Sequence, residues 1–132
     1  MDTLVFFFDR TFGTRLPKAL ASLKPPVLIK WHQEEGFAKD MPDDEWMAVV
    51  GPRKWVCLSQ DRKWHLNDSE LLAVKQHAMK CFYLPSANTD RWISMCHLVS
   101  RHEKIMELSR ANAGSFVFEM KANRQFYPIK LP

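Results

Sequence analysis

A chain of 132 residues, 46% hydrophobic and 26% charged, suits one domain with its own core, and no apolar run approaches the roughly 20 residues that span a bilayer. The formal charge of +4 and pI near 9.1 are compatible with a nucleic-acid partner without requiring one. Three widely spaced cysteines, Cys57, Cys81 and Cys96, offer neither a CxxC pair nor a disulfide framework and read as buried reduced thiols, and the lack of a basic, apolar leader makes the cytoplasm the expected location.

Residues 4–8, LVFFF, form the unbroken apolar run of a strand buried on both faces. The run ends on Asp9, and a carboxylate at the tip of a buried strand needs a donor, a base or a cation to offset its desolvation. After a TFGT turn, Leu16, Ala19, Leu20 and Leu23 recur at helical spacing, with Pro17 in the first turn. Pro25 and Pro26 stop that helix, and Val27 to Trp31 read as the next strand. A polar loop leads to Asp43, a good N-cap for a helix carrying Trp46, Met47, Val49 and Val50 and ended by Gly51-Pro52. Trp55 to Leu58 form a third strand, stopping at Ser59-Gln60-Asp61. Asn67 with Glu70 makes a capping pair for a helix through Met79. Cys81 to Leu84 read as a short strand. A long helix from about Thr89 to Asn112 is expected to bury Trp92, Met95, Val99 and Met106 and to stop at Gly114. Residues 115–120 form the last strand, followed by an aromatic tail with Phe126 and Tyr127. Trp31, Trp46, Trp55 and Trp92 fall on apolar stripes, as core or as a dimer face. This alternation predicts a single α/β domain, a mostly parallel sheet with helices on both faces.

In such a sheet, ligands bind outside the carboxyl ends of the strands. Asp9 closes strand 1, Asp61 closes strand 3, and Asp43 opens the helix after strand 2, so three acids remote in sequence are expected on one rim. Crowded carboxylates repel, and a divalent cation relieves the repulsion; oxygen-only ligation suits Mg²⁺ or Mn²⁺. Such a site suits phosphodiester hydrolysis. Each acid also has a plainer reading: Asp43 as a helix cap, Asp61 as the opening of a polar turn, Asp9 as a salt-bridge partner of Arg10 or Lys18. Asp44 and Glu45 suit the first turn of a helix.

The pieces FFFDRTFG, MPDDEW and WVCLSQD resemble the PIN-like nucleases, especially the VapC-type toxins of toxin-antitoxin systems. Their pattern is an Asp closing strand 1, an acid opening a helix, and an apolar strand ending in (Thr/Ser)-x-Asp, here Ser59-Gln60-Asp61, with Asp43 eighteen positions earlier. The resemblance covers about residues 4 to 85. It implies a three-layer α/β/α fold, a Mg²⁺- or Mn²⁺-dependent endoribonuclease acting on RNA, a cognate antitoxin and often a homodimer. Carried over by position, Asp9, Asp43 and Asp61 match the metal-binding acids, and Ser59 matches the hydroxyl that steadies the third. Many members carry a fourth acid after the third, where this chain has Arg62-Lys63-Trp64-His65; either Asp44 supplies that ligand or a second metal binds weakly.

Cations beside an indole after a metal ligand suit an RNA strand, with Arg10, Arg62 and Lys63 on phosphates and His65 orienting one; Trp64 packing on the sheet edge, with its neighbours solvated, is the plainer reading. The charged face of the long helix, with Arg91, His97, Arg101, His102, Lys104 and Arg110, reads as solvated surface. Two other functions remain open from sequence. One is a degenerate PIN-like module that binds RNA or a protein without cutting. The other is phosphotransfer on a similar sheet, against which Thr11 stands where the Asp-x-Asp pattern needs its second acid.

Overall fold

A computed structural model describes residues 3–60, 67–85 and 90–132. Its strands are β1 (Val5–Phe8), β2 (Leu28–Trp31), β3 (Val56–Ser59), β4 (Lys80–Tyr83), β5 (Phe116–Met120) and β6 (Phe126–Ile129). The helices are α1 (Arg15–Ser22), α2 (Asp43–Val50), α3 (Asp68–Gln76) and α4 (Arg91–Ala111). One sheet holds all six strands in the order β2-β1-β3-β4-β5-β6. The first four pairings are parallel, and β6 folds back antiparallel on β5. The aromatic tail is therefore a sixth strand; Pro128 is tolerated there because an edge strand has unpaired donors to spare.

Alternation along β1 explains the three layers. Phe6 and Phe8 pack with Leu16, Leu20, Leu98 and Ile105, under α1 and α4. Phe7 points the other way, against Trp46, Met47, Val50, Leu71 and Val74 of α2 and α3. Each fully buried Phe contributes about 1.5–3 kcal/mol by leaving water, which is why an uninterrupted apolar run suits this strand. The step from β4 to β5 continues the direction of β3 to β4, yet α4 lies on the opposite face from α3. These two crossovers thus have opposite hands, an uncommon arrangement. Without α4, the Phe6, Phe8 and Phe82 face would be covered by the short α1 alone.

Several boundaries differ from expectation. Pro42 takes the N-cap position of α2, and Asp43 is its first helical residue. Asn67 does cap α3, accepting from the Ser69 amide at 3.0 Å, but that helix ends at Gln76, and Met79 is buried outside it. The stop of α4 is the extended backbone of Asn112, whose side-chain Nδ2 donates back to Leu108 O at 2.8 Å, rather than Gly114. Within α4, Leu98 and Ile105 are buried between Ser94 and Ser109, while Trp92 is 74% and Val99 46% exposed. Met95 and Met106 are only half-buried. Leu23 and Val49 are exposed as well. Cys57 and Cys81 face each other, buried, on β3 and β4, whereas Cys96 is half-buried.

Gly51 joins α2 to a 3-10 turn (Gly51–Arg53), and a Cβ there would lie 2.0 Å from the His77 carbonyl oxygen behind α3. Backbone approach this close admits only glycine. Gly51→Ala is expected to destabilise the protein by about 1–3 kcal/mol through overpacking, seen as a lower Tm in thermal melting; an unchanged Tm would show that α2 and α3 separate freely.

Candidate active site

Parallel pairing extends one residue past the strands at the carboxyl edge. The Asp9 amide donates to Leu58 O at 3.1 Å, the His32 amide to Phe8 O at 2.9 Å, and the Leu84 amide to Ser59 O at 2.8 Å. This register sets His32, Asp9, Ser59 and Tyr83 side by side along the rim, one residue or two beyond buried apolar positions. By strand alternation all four belong to the Phe7 side, beneath the start of α2.

Asp9 is only 3% exposed. Its extended backbone leaves β1 and caps a 3-10 turn (Arg10–Phe12), accepting from the Thr11 amide at 3.0 Å. The Thr11 hydroxyl also donates to the same oxygen, and the Ser59 side chain donates to the carboxylate. Thr11 Oγ1 in turn accepts from the Gln60 amide at 2.9 Å, so the turn after β1 is fastened to the end of β3. Gly13 closes that turn at φ 67, a left-handed conformation that favours glycine. Burial pushes the Asp9 carboxyl up to about 6; hydrogen bonds from Ser59 and Thr11 pull it down, and the Asp43 charge pushes it further up. Asp43 is thus close enough to Asp9 to repel it.

Asp43 accepts from Trp46 Nε1 at 2.8 Å and lies 3.5 Å from Arg10 Nη2. Arg10 also donates through Nη1 to Met41 O at 2.8 Å and Lys39 O at 3.2 Å. Its guanidinium therefore ties the loop before α2 to the end of β1, and holds Asp43 over Asp9. Asp44 sits elsewhere: it is exposed and pairs with His77 Nε2 at 2.8 Å, across the α2–α3 contact. Ser59, expected beside the third acid, donates to the first; the third, Asp61, is not among the described residues. Arg62, Lys63, Trp64 and His65 lie outside them as well.

Sequence reading gave no site role to Thr11, Gln60 or His32. Thr11 carries a detectable signal, a hydroxyl two residues after a strand-ending Asp, where it can close a capping turn. His32 is fully buried, edge-on to Phe37 and Trp46, and neither ring nitrogen has a hydrogen-bond partner among the described residues. Burial and the Arg10 charge lower its pKa, against an upward push from Asp43. Nothing in the local sequence distinguishes this histidine from a loop residue, because only the β1–β2 register places it next to Asp9.

On the other side of the rim a polar cleft of about 540 Å³ opens between the 3-10 turn and the first turn of α4, lined in part by Arg10, Thr11, Gly13, Gln60, Asp90 and Arg91. Gln60 forms its floor: its side-chain amide donates to Pro85 O at 3.0 Å and to Ser94 Oγ at 2.9 Å.

The donor chemistry at Asp9 and Asp43 is two carboxylates with hydroxyl neighbours, and the buried one is short of counter-charge. That set fits a hard cation such as Mg²⁺ or Mn²⁺, which takes one or two protein carboxylates and keeps several waters. Among the described residues, no three His, Cys, Asp or Glu side chains gather as a metal-holding group, and no helix is long and apolar enough to cross a membrane.

Residues 4–86, more than half of the chain, match the PIN-like domain family, and the chain belongs to it. PIN-like domains are generally nucleases, act on nucleic acid and typically use divalent metals. No curated protein and no solved structure matches the chain.

The raised Asp9 pKa has a thermodynamic consequence. Its native carboxyl holds a proton more tightly than the unfolded chain does, so its share of stability is complete below pH 4 and is lost as pH climbs to about 6. The loss is on the order of 3 kcal/mol. Asp9→Asn should remove that part of the pH dependence and raise Tm at pH 7.5. Urea melts of both proteins between pH 4 and 7.5 test this; identical pH profiles would contradict a desolvated Asp9.

Proposed function

We propose that this PIN-like protein is a divalent-metal-dependent endoribonuclease of the VapC toxin type, working as a single domain in the cytoplasm. One observation carries the reading: a buried, under-compensated Asp9 carboxylate beside Asp43 at the carboxyl edge of a PIN-like sheet. Asp9, Asp43 and Asp61 would hold Mg²⁺ or Mn²⁺, with Asp44 as a fourth acid only if it leaves His77. Such an ion, when bound, activates a water toward the scissile phosphate and offsets charge on the phosphate oxygens.

The chain's own residues do the rest. Thr11 and Ser59 fix the orientation of Asp9, and Arg10 holds the loop that carries Asp43. Arg62, Lys63 and His65 would steady the RNA strand together with the outer face of Arg10. Leu23, Trp92 and Val99, apolar and exposed, offer a surface for an antitoxin or a second copy.

A second reading, a PIN-like module that binds RNA or protein without cutting, is favoured by the Asp44–His77 pair, which draws Asp44 away from Asp9 and Asp43. One assay separates the two. With Mg²⁺ or Mn²⁺ the protein should cleave a single-stranded RNA, chelation should stop it, and Asp9→Asn and Asp61→Asn should each lower the rate at least about 100-fold while keeping the far-UV spectrum. Full activity in both variants would remove the mechanism, and binding without cleavage in the wild type would establish the second reading.

A further inference from the structure

The cleft between the 3-10 turn and α4 lies across the rim from Asp9 and holds none of the acids assigned above. Its lining combines a cation with an anion in adjacent positions. Arg91 is exposed on the first turn of α4, across the cleft from the 3-10 turn with Thr11 and Gly13. Asp90 uses Oδ1 to cap the Trp92 amide at 2.7 Å, leaving its second oxygen open among the described residues. The volume, about 540 Å³, falls within the roughly 300–1,000 Å³ of small-ligand clefts. A guanidinium matches a phosphodiester oxygen pair. A carboxylate beside it repels phosphate but accepts a hydrogen bond from a sugar hydroxyl. The two together describe a ribose phosphate, and a deoxyribose would leave the carboxylate without its donor.

We infer that this cleft is a ribonucleotide subsite, in which Arg91 holds a backbone phosphate and Asp90 accepts the 2′-hydroxyl of an unpaired nucleotide next to the one at Asp9. The inference rests on the nuclease reading and adds the sugar selectivity to it. Thr11 links the two places physically, because it holds Asp9 with its amide and hydroxyl and lines the cleft. The Gln60–Ser94 bond keeps the cleft floor at a fixed distance from the end of β3. A strand crossing the rim would thus meet the acids on one side and the cleft on the other.

The test measures binding of the full chain to a labelled ten-nucleotide single-stranded RNA and to its DNA counterpart, by fluorescence anisotropy in EDTA so that nothing is cut. Wild type should prefer RNA about 10-fold, the worth of one hydrogen bond to a charged group. Asp90→Ser keeps a good N-cap but shortens the side chain, and should bring the RNA:DNA ratio close to 1. Arg91→Ala should weaken both strands alike and reduce the salt slope by about 1. Equal wild-type affinity for RNA and DNA, or an unchanged ratio in Asp90→Ser, would overturn the subsite. Cleavage by wild type and by Asp9→Asn is measured alongside: an active enzyme with no Asp90 effect loses the subsite alone, whereas selective binding without cleavage loses the hydrolase and keeps the subsite.

Discussion

The structure is organised around the desolvation of one carboxylate. Asp9 cannot retreat from the end of β1, because its amide is still in the ladder with Leu58 and its oxygens receive the turn that follows. Hydrogen bonds from Ser59 and Thr11 offset part of the burial, yet the carboxyl still binds its proton more tightly than in water. A neighbouring Asp43 adds repulsion. A protein built only for stability would place an Asn here, and the arrangement makes chemical sense when positive charge arrives from outside.

The rest of the fold serves that point. Phe6, Phe7 and Phe8 are buried on both faces and fix the strand against sliding, since a one-residue slip would exchange every side chain between layers. Arg10 brings the loop before α2 back to the rim. Gln60 couples the end of β3 to the 3-10 turn through its amide and to α4 through its side chain. The return of α4 over the α1 face, rather than the α3 face, is what opens a cleft beside the rim, since it brings Asp90 and Arg91 opposite the 3-10 turn.

Much of this was legible in the sequence for identifiable physical reasons. Apolar runs bounded by turn signals placed the first five strands, period-3.6 patterns and caps placed four helices, and the Asp9 problem was visible as a charge ending an apolar run. The misreadings share one cause, which is that pairings distant in sequence decide them. In α4 two helical stripes compete, Trp92-Met95-Val99-Met106 and Leu98-Ile105, and the buried one is flanked by the serines Ser94 and Ser109. Composition favours the wrong one. The tail with Pro128 gave no strand signal until β5 supplied a partner. The place of Asp44, facing His77, depends on how close α2 and α3 approach, and that is set by the bare Cα of Gly51. The bond from Ser59 to Asp9, like the proximity of His32, follows from strand register alone.

The central claim is that Asp9 belongs to a cation site. A crystal grown with Mn²⁺ and measured at a wavelength where manganese scatters anomalously tests it directly. The account predicts an anomalous peak at about 2.0–2.3 Å from an Asp9 oxygen, shared with or bridged by water to Asp43 or Asp61. A fully loaded crystal with no peak at Asp9, or with manganese only at surface carboxylates such as Asp44, would contradict it.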